Sequence, residues 1–521
     1  MWRSREKLQS NSRQAERLFY LSLVLLSILA FLCLGQLNYY LIDDSETYMN
    51  LSSGMEGVMP IYPLFLYGNR LLFGENSYLY AVVVEQSIFA AGCVIIFIRT
   101  LKNQFQLNYL ESYICFFLSL LTFTADLPDV MTTRVILTEG IAYAAFYLFS
   151  AALLQTVWRK SGKWLGILCA VTIFMSSIRS QLQILFGMCA AACIYIMLMR
   201  KNAGSWKKVL LRIFLGTIGG LFIGLVGIWI TSQIAGRYQI AMREMRERQA
   251  TAAEMGLEEA EKQKSEQEAS PSQYVTLIFD KGMYEADYED YRLFEDEQMQ
   301  DLYLRLYERI NEAGYRYSYA RPGLWMWKDI TGSALIGVEC MREEQHYYEE
   351  HPELLSGSSY LAARNHNWMI MGTTLIKAHP ARFLYHVVML LPQAFVSTVF
   401  FQVERIYMLC HLITLFLYVS AILLTVWAYR DKKIRNAYAE FMAAVLGTNI
   451  IMVVIISIVF FGQKRYLFYN FGIFYIAYFL LLLQMWKHYI KNSVMRKAAG
   501  LRGGRTKRYE EVDVEGKDNE K

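Results

Sequence analysis

Long apolar runs alternate with short polar ones along most of this chain, from RLFYLSLVLLSILAFLCLGQL near its start to YLFYNFGIFYIAYFLLLLQMW near its end. A helix needs roughly 20 apolar residues to cross a bilayer. Runs of that kind predict ten spans, near residues 17–37, 78–98, 109–125, 135–157, 164–178, 181–199, 209–234, 406–428, 438–461 and 466–486. The first run is too long, and too poor in small residues at its end, for a removed signal peptide. A further apolar stretch, FLYHVVMLLPQAFVSTVFF at 383–401, contains His386 and Pro392 and reads as a helix lying in the outer membrane interface.

Charge sets the orientation, because Lys and Arg collect on the cytoplasmic side. The clusters Arg3, Arg5 and Lys7, Arg99 and Lys102, Arg159 and Lys160, Lys201 with Lys207 and Lys208, and Lys432 with Lys433 agree with one registry, in which both termini are inside. If residues 383–401 crossed, DKKIR and the basic tail SVMRKAAGLRGGRTKR would fall outside. The expected fold is an all-α polytopic membrane protein, with about ten transmembrane helices and a large extracytoplasmic loop domain. Four regions follow. Residues 1–234 form a membrane module with seven spans and acidic outer loops, and 235–382 a mostly helical extracytoplasmic domain. Residues 383–487 hold the interfacial helix and the last three spans, and 488–521 a basic, then acidic, disordered cytoplasmic tail.

Composition agrees with this reading. A hydrophobic content of 55%, with 15% aromatics and a mean hydropathy of +0.22, exceeds what a soluble domain carries. The net charge of +5 is mostly the inner-face signal and the tail, so it argues for a lipid bilayer as partner and against nucleic acid. Of the eight cysteines only Cys340 falls in a soluble segment, which leaves no disulfide framework and no CxxC zinc site. With no organelle-targeting signal either, the expected location is the cytoplasmic membrane of a bacterium. In the large loop, REMRERQATAAEMGLEEAEKQKSEQEAS reads as a solvated helix or linker, and the aromatic, acidic texture after Pro271 as a folded cap.

Residues 41–74, LIDDSETYMNLSSGMEGVMPIYPLFLYGNRLLFG, place the adjacent Asp43 and Asp44 just outside the first span. An acidic pair, a Tyr-bearing stretch and a P-x-Y-P turn before span two together resemble the first outer loop of the GT-C superfamily. These are membrane glycosyltransferases that use polyprenyl-phosphate sugars, among them protein O-mannosyltransferases and lipid A aminoarabinose transferases. ADLPDVMTTRVILTEGIAYAAFYLF is similar to the second outer loop and fourth span, SIRSQLQILF to the hairpin with a basic residue, HPARFLYHVV to the membrane return, and GQKRYLFYNFGIFY to the last outer turn. The resemblance covers most of residues 15–490.

It implies transfer of a sugar, most simply with inversion, from a polyprenyl-phosphate donor to an envelope glycan, lipid or protein on the outer face. Such chemistry needs a carboxylate to take the acceptor's proton and cations to stabilise the departing phosphate. By likeness the base is Asp43 or Asp44, Asp126, Asp129 and Glu139 position the acceptor or the loop, and Arg179, Lys464, Arg465 and Arg70 hold the phosphate. Some members of the superfamily use a divalent metal ion and others none. No metal ligands are assigned here, although Asp43, Asp44 and Asp126 could serve either case.

Plainer roles stand beside these. Asp44 fits an N-cap for SETYMNL, ADLPD a solvated turn, and Glu139 an ion pair with Arg134, while the outer cations could snorkel to headgroups. His351, His366 and His379 have no metal-ligand spacing. The alternatives are an O-antigen-type polymerase or ligase, or a lipid or polysaccharide transporter or flippase. A transporter would carry charge at mid-membrane, whereas here charge gathers at the outer boundary. The topology is checked by reporter fusions: one after Arg508 should read cytoplasmic and one near residue 270 external. An external tail would mean that 383–401 crosses.

Overall fold

The computed structural model describes residues 2–33, 38–42, 45, 48–49, 59, 61–124, 130–159, 161–199, 273–320, 328, 331–355, 360–400, 406–431, 436–459 and 464–489. Its elements are helices: α1 (Trp2–Ile28, continued by the π-helical turn Leu29–Cys33), α2 (Ile61–Phe73), α3 (Tyr78–Phe105), α4 (Tyr109–Thr124), α5 (Thr138–Arg159), α6 (Gly162–Ile178) and α7 (Leu185–Met199). Then come α8 (Gln273–Tyr284), α9 (Glu297–Ala313), α10 (Ile336–Glu350), α11 (Tyr360–Ala378), α12 (Pro380–Val399), α13 (Tyr407–Arg430), α14 (Asn436–Val459) and α15 (Phe468–Tyr489). Among the described residues seven helices, α1, α3, α5 and α12 to α15, are long and apolar enough to cross a bilayer. α4, α6 and the stretch Gln181–Tyr195 are shorter and apolar. The chain is an all-helical, multi-pass membrane protein. Nine of the ten stretches expected to span coincide with these helices, and 209–234 lies outside the described residues.

The helices form one bundle with two distinguishable ends. At the lower end Phe105 packs on Tyr438 and on Trp158, next in the chain to Arg159, and the Tyr195 hydroxyl donates to Glu440 at 2.9 Å. At the upper end α5 begins, α6 finishes and α3 starts. The α3–α5 contact there is close enough that a Cβ on Gly140 would sit 2.7 Å from the Gln86 side chain. Among the described residues, bulky faces of α1 (Leu18, Leu21, Leu25) and α13 (Phe416, Leu423) are exposed, as lipid-facing surfaces are.

Polar contacts tie three elements into the interior of the bundle. In the last described turn of α4, Thr122 meets the Tyr147 hydroxyl of α5 at 2.7 Å. α15 packs there too: the Gly472 amide donates to Thr122 Oγ1 at 2.9 Å, in a contact that leaves no room for a Cβ. α12 descends only until Thr398 meets the Tyr418 hydroxyl at 2.7 Å, eleven residues below the top of α13. Helix ends buried this way need partners, since lipid offers none. A polar network supplies them: Asn449 donates to Tyr418 at 2.9 Å, and Asn470 to Asn449 at 2.8 Å and to the Val445 carbonyl at 3.1 Å.

α12 is therefore not the surface-lying helix expected of 383–401, because it enters the bundle. It packs antiparallel to α14, with His386 near the level of Ser457 and Thr398 near Asn449, and α14 is antiparallel to α13. Hydropathy reports a stretch's length and greasiness, not the depth at which it ends.

The cap expected after Pro271 is built from α8 to α11 around Trp368, which stacks on Phe279 at 4.3 Å, with Tyr303, Leu306 and Ile336. α9 opens on Asp296, whose carboxylate accepts from the Gln298 amide, and closes on Gly314 at φ 72°. The buried pair Arg364–Glu344, at 2.7 Å, ties α11 to α10. Residues 235–272 and 490–521, along with Trp325 and Trp327, lie outside the described residues. The cap's core and the membrane core meet along α12: Met389 and Leu390 belong to the first, Ala394 and Val399 to the second.

Lys281 of α8 makes a second tie, its Nζ donating to the Ser457 carbonyl of α14 at 2.8 Å. Burial pushes this lysine down to about 7 and holds the neighbouring Asp280 carboxyl well above its usual range. Between about pH 7 and 10 the native lysine has lost a proton that the unfolded chain keeps, so its contribution to stability rises with pH there. Asp280 acts in the opposite sense, which is why a comparison of variants is needed. Lys281→Met should gain most over the wild type near pH 6 and least above about pH 9, measured by unfolding in detergent. Parallel pH profiles for the two proteins would show that the buried charge is not the cause.

Candidate functional site

The upper end of α5 begins Thr138, Glu139, Gly140. Glu139 is 1% exposed, and an acid so placed needs a cationic partner. Arg179 supplies it. α6 ends at Ile178, where Arg179 turns extended (φ −148°, ψ 126°) with its amide bonded to the Met175 carbonyl, and the 3-10 turn Ser180–Ile184 leads into α7. Its guanidinium forms an ion pair with Glu139 and donates to Thr138 Oγ1 at 3.3 Å, while that hydroxyl donates to the second Glu139 oxygen at 2.9 Å.

The turn before α15 closes over this pair. The Tyr466 ring lies 4.9 Å from the Arg179 guanidinium and 5.2 Å from that of Arg465, and the Tyr143 hydroxyl holds the Arg465 carbonyl at 2.9 Å. Tyr469 packs edge-on to Tyr143 at 4.9 Å. Arg465 is near enough to Glu139 to act on its charge. Among the described residues, then, Glu139 pairs with Arg179 and lies within electrostatic range of Arg465, in a cluster with several phenols.

The first outer loop reaches the same place. Tyr48 meets the Tyr62 ring edge at 5.4 Å and lies within electrostatic range of Arg179 and Tyr469. The Tyr62 hydroxyl donates to Gln86 at 3.1 Å, and Gln86 donates to the Thr133 carbonyl at 2.9 Å. Upstream, a parallel bridge joins Tyr40 to the second loop, with the Tyr40 amide on the Arg134 carbonyl at 2.9 Å and the Ile136 amide on the Tyr40 carbonyl at 3.0 Å. Ser45, fully buried, folds back on Ile42 through its amide and its Oγ.

Asp43, Asp44, Asp126 and Asp129 lie outside the described residues, as does the side chain of Lys464. Their flanks are placed: Ile42 and Ser45 enclose the first pair, and Thr132, bonded to the Phe123 carbonyl at 2.9 Å, follows the second. Glu139 and Arg179, given separate roles in the sequence, are brought together, so Arg179's charge is matched before any ligand arrives. Arg465 joins them. Arg70 does not, since it pairs with Glu75 at 2.9 Å and packs on Tyr78 at the other end of α2 from Tyr62. Arg134 is not the partner of Glu139 that sequence proximity offered: it donates to the Asn38 carbonyl at 2.7 Å and covers Tyr40. Tyr48, Tyr62, Tyr143, Tyr466 and Tyr469 were missed, and the signal was their spacing around polar residues at span ends, as in QKRYLFYNF. Among the described residues no group of three or more His, Cys, Asp or Glu side chains could hold a metal ion. Compared with known protein families, known proteins and solved structures, the chain matches none.

The pair makes a stability prediction. Glu139→Gln or Arg179→Gln alone leaves a buried charge uncompensated and should cost roughly 3–5 kcal/mol, whereas the double variant should cost clearly less than the sum. Thermal unfolding in detergent checks this. Simple additivity would mean that the two residues do not act as a pair.

Proposed function

We propose that the chain is a membrane glycosyltransferase that moves a sugar from a polyprenyl-phosphate donor to an acceptor of the cell envelope, at the outer face of a bacterial cytoplasmic membrane. On this reading the upper end of the bundle is the outer end. There are ten spans, counting 209–234 and leaving α12 as a re-entrant half-helix, and both termini lie inside.

The observation that carries the proposal is the convergence of four separate segments, those of Tyr48, Glu139, Arg179 and Tyr466, on one buried cluster of guanidiniums and phenols at the upper end of the bundle. A phosphate bound there would meet the guanidinium of Arg465 and the hydroxyls of Tyr466 and Tyr48, and charge-assisted hydrogen bonds of this type favour an anion that gains charge as it departs. Arg179, already matched by Glu139, lies against the Tyr466 ring and holds it in place. In the reaction the acceptor hydroxyl oxygen bonds to the anomeric carbon, the bond from that carbon to the phosphate oxygen breaks, and the hydroxyl proton passes to the first-loop carboxylate. Polyprenyl phosphate leaves as the dianion.

One feature favours a second reading as a transporter: α12 stops at mid-membrane, as the half-helices of transporters do. Its end is met by neutral groups, Tyr418 and Asn449, rather than by a charge. The two readings separate on Asp43→Asn and Asp44→Asn, which preserve size and hydrogen bonding but cannot accept the proton. At least one should lower transfer roughly 100-fold or more, with normal insertion and unfolding temperature, and remove the rising limb of the pH profile. Full transfer in both single variants and in the double would exclude these residues as the base. If Asp126, Asp129 and Glu139 variants also leave transfer intact, the glycosyltransferase reading fails.

A further inference from the structure

Between α9, α10 and α11 the cap holds a depression of about 250 Å³. It belongs to the cap's core, apart from the Glu139 cluster, and nothing above uses it. Its floor is apolar and aromatic, formed by Leu302, Tyr347 and Tyr348, all buried. Its rim is polar and exposed or half-exposed: Asp296 and Gln298 from the start of α9, His366 and Asn367 from α11.

Each rim group brings planar hydrogen-bonding capacity. The Asn367 amide nitrogen donates to the Tyr348 hydroxyl, leaving its carbonyl oxygen as an acceptor. Asp296 accepts from the Gln298 backbone amide at 3.3 Å, which fixes the carboxylate at the edge. Among the described residues neither the Gln298 side chain nor the His366 ring has a hydrogen-bond partner. Among the described lining residues there is no lysine or arginine and the one formal charge is negative; the Arg305 guanidinium lies outside the lining, 5.5 Å from the Tyr347 ring, so the rim itself offers a phosphate or carboxylate no cation. The ligand that fits has a C–H face to lay on tyrosine rings and alternating donors and acceptors around its edge, with no negative charge. A hexose has that pattern, and one ring suits the volume.

We propose that this depression binds a single neutral or amino-substituted hexose unit, supplied by the acceptor glycan. The second half of the statement rests on the glycosyltransferase reading, while the binding itself does not. An acceptor chain held by one unit on the cap would raise the local concentration of its reacting end at the membrane without touching the chemistry.

The test uses the full chain in lipid nanodiscs and saturation-transfer NMR with glucose, galactose, mannose, N-acetylglucosamine and glucosamine, with glucuronate and inorganic phosphate as anionic controls. At least one of the five hexoses should give saturation transfer, and the anions none. His366→Ala, at an exposed position where folding is safe, should weaken that binding about tenfold, as loss of one or two hydrogen bonds does. Ala363→Trp should fill the depression and abolish the signal. With a glycan acceptor, His366→Ala should raise KM about tenfold and leave kcat within about twofold. No hexose binding by the wild type, binding unchanged in His366→Ala, or preference for glucuronate or phosphate would each overturn the proposal. Hexose binding that persists while Asp43 and Asp44 variants transfer normally would instead keep the sugar site and discard the catalytic assignment.

Discussion

Burying a carboxylate against a guanidinium at the end of a membrane bundle is the constraint around which the upper half of this protein is arranged. Glu139 cannot sit 1% exposed without Arg179, and Arg179 cannot reach it unless α6 ends where it does and the chain turns extended. Thr138 completes the hydrogen bonding, and the Tyr466 ring covers the guanidinium from the last turn. That cover fixes the depth of residues 464–470, hence the start of α15, which the Asn470–Asn449–Tyr418 network then makes tolerable inside the bilayer. One ion pair thus sets the relative heights of α5, α6 and α15.

The same arrangement explains how guanidiniums are accommodated in a low-dielectric setting. An isolated guanidinium there would be costly, and Glu139, paired with Arg179 and within electrostatic range of Arg465, lowers that cost, with the Tyr466 ring beside both. The phenols provide donors without adding ionised groups.

Much of the architecture was legible in the chain because its cause is local. Each span declares itself by roughly 20 apolar residues, and basic residues mark one end. The site was legible only in part. Glu139, Arg179 and Arg465 could be singled out, since ionised residues at that end of the spans need a reason, but not their mutual pairing, which depends on where three helices stop. Arg134 seemed the partner of Glu139 by sequence distance. The 3-10 turn Thr132–Arg134 and the extended Val135 send its side chain to the Asn38 carbonyl instead. For α12 the composition was ambiguous in itself, as a half-inserted helix and an interfacial one need the same residues. The depression on the cap left no trace in the sequence, because its rim draws ordinary polar residues from two helices far apart in the chain.

The site takes one wall from residues near 40–62 and its lid from residues 465–469, close to the last helix. Chains enter the membrane from the N-terminus onward, so the first loop, Glu139 and Arg179 are in place long before Tyr466 and Tyr469 are synthesised. A nascent or truncated chain lacking α15 has an ion pair with no aromatic cover and a last-turn cation that does not yet exist. The aromatic cover of the ion pair is therefore added only once the turn before α15 has been made.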